Sequence, residues 1–138
     1  MVIDKSVRVL VVDDNQGMRK TVRILLEQAG LEDIHEARDG VDALGELKEG
    51  GYDILVSDWN MPRMDGLSLV RMIRSDAALK DLLVIMVTAE AERDNVIDAI
   101  KIGIDDYIVK PFTADVLQKK VAACLSRRAQ RGQSPAQP

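Results

Sequence analysis

The chain is poor in several residue types, and each shortage narrows what it can be. Aromatic residues make up 3% of its 138 positions: one Trp, two Tyr and one Phe. The core must therefore be built from Val, Ile, Leu, Met and Ala. A single cysteine, Cys124, excludes an internal disulfide and suits a reducing compartment. One histidine and one cysteine cannot supply a zinc ligand set. No apolar run approaches the roughly 18 residues needed to span a bilayer, so membrane insertion is not expected. The opening "MVIDKSVR" carries charges where a signal peptide would be apolar, and a cytoplasmic chain is expected.

Basic charge is scarce where a nucleic-acid ligand would need it. The net charge is −4. The stretch 127–138 contains no acid and holds Arg127, Arg128 and Arg131. Taking those three positive charges from the net −4 leaves −7 over residues 1–126. An acidic body lacks the basic surface that phosphate contacts demand, so no nucleic acid is expected as a direct ligand. Hydrophobic residues at 46% and charged residues at 30% are ordinary for one folded domain.

What is present is an alternation. "VRVLVV" (Val7–Val12) is apolar and β-branched, as for a strand covered on both faces. Met18, Val22, Leu25, Leu26 and Ala29 follow at helical spacing, with Gly30 as a stop. A weaker strand at Asp33–Ala37 precedes a helix with Val41, Leu44 and Leu47 inward. "YDILV" (Tyr52–Val56) is a third strand, and Asp65 is placed to cap a helix over Leu67–Ser75. Strands at Leu82–Thr88 and Asp106–Lys110 flank a fourth helix ending at Gly103. A fifth helix begins near Thr113 and turns Leu117, Val121, Cys124 and Leu125 inward. From Arg127 the pattern dissolves, which predicts a folded unit over 1–126 and a disordered, solvated tail over 127–138. Five β–α units with short connections predict a single doubly wound α/β domain, a parallel sheet with helices on both faces.

Ligand sites in such sheets lie beyond the carboxyl ends of the strands. Strand one ends in Asp13 and Asp14, strand three runs into Asp58, strand four ends in Thr88 and strand five in Lys110. Read alone, each has a bland explanation: the aspartates could begin turns or cap helices. Read together, they converge. Three clustered carboxylates repel and call for a cation, and all-oxygen ligands favour Mg²⁺. A cation there could gather a phosphoryl group for attack by Asp58, with the Thr88 hydroxyl and the Lys110 ammonium on its oxygens.

"VVDDN", "SDWNMPRMDG", "MVTAEA" and "YIVKPFT" together resemble the receiver domain of two-component response regulators, over about residues 7–125. "DWNMP", "VTAEA" and "VKPFT" resemble in particular its single-domain chemotaxis members. The resemblance implies strand order 2-1-3-4-5, the flavodoxin-like order. It makes Asp58 the phosphoacceptor, with Asp14, Asp58 and the Asn60 carbonyl on Mg²⁺ and Asp13 assisting through water. Thr88 and Lys110 would contact the phosphoryl group, the Lys110–Pro111 bond would be cis, and Tyr107 would be the switch residue. Asn60 and Glu90 would tune hydrolysis of the acyl phosphate. The implied partners are a sensor histidine kinase and a downstream protein, such as a flagellar motor switch or a phosphatase, bound on the face of helix four, strand five and helix five.

The chain is thus expected to be a monomeric signalling switch that catalyses only its own phosphorylation and dephosphorylation. Two departures from the pattern, Asn15 in "NQGM" and Glu92–Arg93 in "AEAERD", fall near surfaces that choose partners. A phosphorelay intermediate passing phosphate to a histidine phosphotransfer domain is the alternative within the class. An aspartyl-phosphate phosphatase is the alternative outside it, against which stand Asn60, where such enzymes carry an acid, and the lack of room for a cap domain. Flavin binding is opposed by carboxylates where a flavin phosphate would sit. Trp59, beside Asp58, is a built-in fluorescent reporter.

Overall fold

A computed structural model describes residues 6–89 and 93–133. The elements alternate as β1 (Arg8–Val12), α1 (Gln16–Gln28), β2 (Asp33–Ala37), α2 (Gly40–Glu49), β3 (Ile54–Asp58), α3 (Gly66–Ser75), β4 (Leu83–Thr88), α4 (Arg93–Ile102), β5 (Asp106–Val109) and α5 (Ala114–Gln133). The strands form one parallel sheet in the order β2-β1-β3-β4-β5. The order reverses between β1 and β3: the chain leaves β1 toward β2 on one side and returns to β3 on the other.

Two apolar layers hold the sheet between its helices, and strand periodicity assigns residues to each. Val9 and Val11 of β1, with Ile54 and Val56 of β3, pack against Val22 and Leu26 of α1 and Leu117, Val121 and Cys124 of α5. Their neighbours Leu10, Val12 and Leu55 face the other way, onto Ala43 and Leu47 of α2, Leu69 and Ile73 of α3 and Ala99 of α4. Burial on both faces is why β1 and β4 read as unbroken apolar runs. Cys124 lies in the core, as its helical spacing implies.

Side chains cap four helices at the end of the sheet where the site lies, Thr113 Oγ1 accepting from Val116 N at 3.2 Å at the start of α5. Asn15 Oδ1 accepts from Met18 N at 2.9 Å, Asp39 Oδ1 from Asp42 N at 2.9 Å and Asp65 Oδ1 from Ser68 N at 2.8 Å. The role of Asn15, unexpected from the sequence pattern, is therefore to start α1. Arg74 at the end of α3 donates to the carbonyls of Lys80, Leu82 and Gly103 and pairs with Asp105, tying the α3–β4 and α4–β5 connections together. The lone histidine is engaged elsewhere, with Nε2 2.6 Å from Asp33 Oδ1 and its ring edge-on to Tyr52.

The C-terminal reading needs correction. Helix α5 does not dissolve at Arg127 but continues to Gln133. No helix breaker intervenes before Gly132, and the arginines gain partners: Arg127 Nη2 reaches Cys124 Sγ at 3.1 Å. Arg128 Nη1 donates to the carbonyl and Oδ1 of Asp53 at 3.0 and 3.1 Å. Asp53 in turn accepts from Arg8 N at 2.9 Å, so α5 is latched to the starts of β1 and β3.

Candidate functional site at the carboxyl ends of the strands

Chain reversal between β1 and β3 leaves a crevice at their carboxyl ends, and Asp13, Asp14 and Asp58 meet there. One carboxylate oxygen from each lies within 4.8 Å of the others. Asp13 is buried and tightly held. Its N–H donates to Ala37 O at 3.2 Å and its carbonyl accepts from Arg19 Nη1 at 2.8 Å. Its Oδ1 accepts from Asn15 N at 2.9 Å. Asp14, next along, is exposed. Asp58 is the last residue of β3, two beyond the expected end, because ladder pairing continues through Asp58 opposite Val87. It is thereby fixed by the sheet rather than carried on a loop.

Lys110, just past β5, crosses to both strands. Its Nζ stands 3.4 Å from Asp13 Oδ2 and 3.2 Å from Asp58 Oδ1. Trp59 N donates to the same Asp58 Oδ1 at 2.9 Å, so Oδ2 of Asp58 takes neither contact. The Lys110–Pro111 peptide bond is cis, as implied, and Lys110 N donates to Thr88 O at 2.7 Å. Thr88 is buried at the end of β4, beside this bond. Asn60 is exposed in the loop after Asp58. Tyr107 is half-buried on β5, with Lys120 Nζ 5.2 Å over its ring. Glu90 lies outside the described residues, and so does Glu92 of the "AEAERD" departure.

Close backbone approach completes the crevice. Gly66 opens α3, and its N–H donates to Trp59 O at 2.8 Å. A Cβ on Gly66 would lie 2.6 Å from the Asp58 carbonyl and would also strike Met86 Cε. The tight approach of α3 to β3 therefore requires glycine.

Burial pushes the Asp58 carboxyl above the usual carboxylate range, and the charge of Asp13 pushes it further. Lys110 and the Trp59 N–H pull it down without cancelling the rise. A cation held by Asp58 would compete with its proton. Mg²⁺ affinity should weaken as the pH falls through the raised Asp58 value, by about tenfold per pH unit for one displaced proton. Trp59 fluorescence titrations between about pH 8 and pH 5 measure this; affinity that strengthens on acidification would contradict it. The donor set itself suits Mg²⁺: three carboxylates and no sulfur or imidazole, with exposure at Asp14 leaving room for water ligands.

An open parallel sheet with a carboxylate cluster and a bridging lysine at its switch point defines a doubly wound α/β domain whose donor set could hold a cation. More narrowly, the chain belongs to the response regulator receiver domain family, whose match covers residues 9–122. It is 48% identical over 120 residues to the chemotaxis protein CheY of Pseudomonas aeruginosa, covering 87% of this chain and 97% of that protein. It is 45% identical over 126 residues to chemotaxis protein CheY-3 of Vibrio cholerae, covering 91% and 97%. The solved structure of the chemotaxis response regulator CheY4 of Vibrio cholerae superposes with a TM-score of 0.80 at 31% identity, covering 86% of this chain and 98% of that one. Among the described residues no helix is long and apolar enough to cross a membrane.

Proposed function

We propose that this chain is a phosphorylation-driven switch in a chemotaxis pathway, with Asp58 as the phosphoacceptor. The observation that carries the reading is the Lys110 ammonium from the sheet edge set against both Asp13 and Asp58 at the switch point. The donor is the phosphohistidine of a sensor kinase. A free Asp58 oxygen attacks phosphorus, the P–O bond forms as the P–N bond breaks, and the imidazole leaves with the electron pair. Mg²⁺ held by Asp13, Asp14, Asp58 and the Asn60 carbonyl would offset the carboxylate charge and draw the phosphoryl oxygens into line.

Lys110 and the Thr88 hydroxyl supply the remaining contacts to those oxygens, and Asn60 and Glu90 govern the access of water that resets the switch. Output passes through α4, β5 and α5, where Ile97, Ile100, Val109 and Val116 are exposed large apolar residues beside the half-buried Tyr107. Patches of this kind mark protein-binding surfaces. The named relatives are chemotaxis proteins, which favours a motor-side protein target over a phosphorelay partner or an external phosphatase substrate.

Trp59 provides the test, because its N–H touches Asp58. Mg²⁺ should change its fluorescence in a saturable step, and a small phosphodonor such as acetyl phosphate should then produce a second, decaying step. A second step that persists in Asp58→Asn would remove Asp58 from its role.

A further inference from the structure

Arg63 is the only non-glycine residue with positive φ among the described residues, at 65°. It sits in the loop between Asn60 and the α3 cap Asp65, at the centre of a tight turn in which Met64 N donates to Pro62 O at 2.7 Å. A left-handed conformation is costly for a long side chain, a cost that glycine would avoid. The position nevertheless carries arginine, and its guanidinium is committed. Nε donates to Asp39 Oδ2 at 2.8 Å, and Nη2 reaches Asp39 Oδ2 at 2.7 Å and Asp42 Oδ1 at 2.9 Å.

The acceptors are well fixed. Asp39 is buried and caps α2 through its other oxygen, and Asp42 also holds Arg38 at 2.8 Å. Backbone packing reinforces the contact, since a Cβ on Gly40 would lie 2.6 Å from Met64 O. The loop is therefore pinned twice, at Gly66 against β3 and at Arg63–Met64 against the start of α2. Asn60 lies on the stretch between Asp58 and these pins.

We infer that Arg63 is a positioning residue: its forked ion pair to Asp39 and Asp42 holds the Asn60 loop against α2 in the shape that accepts the cation. This rests on the reading that Asp58 and the Asn60 carbonyl bind Mg²⁺. The direction of the effect separates positioning from plain electrostatics. Removing a cationic side chain near a divalent-ion site relieves repulsion and should tighten Mg²⁺ binding. Loosening a ligand-bearing loop should weaken it, by about tenfold for a contact outside the ligand shell.

The test uses the full chain with Arg63→Gly, Arg63→Lys, Asp42→Asn and the Arg63→Gly/Asp42→Asn double variant. Arg63→Gly relieves the strained φ, so its unfolding midpoint should stay near that of the wild type. Its Mg²⁺ Kd from Trp59 fluorescence should rise about tenfold. Arg63→Lys keeps the charge but loses the fork and should also weaken binding. The double variant should be no worse than Arg63→Gly alone, because both act through one contact. In metal-free protein, amide exchange over Trp59–Gly66 should accelerate in Arg63→Gly while the sheet stays protected. Unchanged or tighter Mg²⁺ binding in Arg63→Gly, or losses that multiply in the double variant, would overturn the inference. Absence of Mg²⁺ binding in the wild type would instead fail the site reading, and amide exchange would still decide whether Arg63 pins the loop.

Discussion

Asp58→Asn should stop phosphoryl uptake from acetyl phosphate, with the covalent product falling by at least about 10³-fold as read by intact mass. The amide keeps the shape of the side chain but not the nucleophile, and the Lys110 and Trp59 N–H donors can still meet its oxygen. The same substitution should stabilise the metal-free fold. Because the Asp58 carboxyl is raised by burial and by Asp13, the folded chain binds its proton more tightly than the unfolded chain does. Its contribution to stability therefore declines as the pH rises through the unfolded and then the folded value, and it is least favourable at neutral pH. Relief of a charge held for function is commonly worth about 0.5–2 kcal/mol. Urea unfolding at neutral pH should show the gain, and it should shrink toward acidic pH. A variant that remained phosphorylated at a wild-type rate would move the acceptor elsewhere.

Gly66→Ala should be among the most damaging single-methyl additions in the chain. The new Cβ meets the Asp58 carbonyl at 2.6 Å, and that backbone is fixed by the β3–β4 ladder. Met86, fully buried, has little room to yield. Overpacking of this kind costs about 3 kcal/mol, a fall of roughly 10 °C in Tm for a chain of this size. Mg²⁺ binding should weaken with it, since Asp58 and Trp59 must shift to make room. Gly45→Ala is the control: nothing lies within 4 Å of its Cβ, and it sits inside α2, so it should stabilise by about 0.5–1 kcal/mol. Thermal unfolding of the two variants checks both signs; equal Tm values would mean that the α3–β3 approach is not tight.

The residues that converge on the crevice were legible because each stands at or just past the end of an apolar run. Asp13, Asp14, Thr88 and Lys110 could be placed from strand boundaries alone, and helices on both faces followed from apolar spacing. Strand order was not so legible; it came through the family resemblance, since periodicity does not say which strands are neighbours. Asp58 was found, but the end of β3 fell two residues short, because Ser57 and Asp58 are polar and only the ladder to β4 keeps them extended. The length of α5 was misread for a related reason. Arg128 finds its partner in Asp53, 75 positions earlier, and no local pattern carries that information. Arg63 gives no local signal of its role. A long cation flanked by turn residues looks solvated until the fold brings Asp39 and Asp42 beneath it.

The shortest strand of the sheet has a consequence of its own. β5 spans four residues and, among the described residues, has β4 as its only ladder neighbour, so it is the part of the sheet with the fewest bonds to break. The lysine that grips the buried carboxylates extends from one end of this strand, while Tyr107 and Val109 lie along it. A change in charge on Asp58 would therefore pull first on the most weakly moored piece of backbone. Such a pull would reach the outer face by leverage along the rim and would not need to pass through the packed interior.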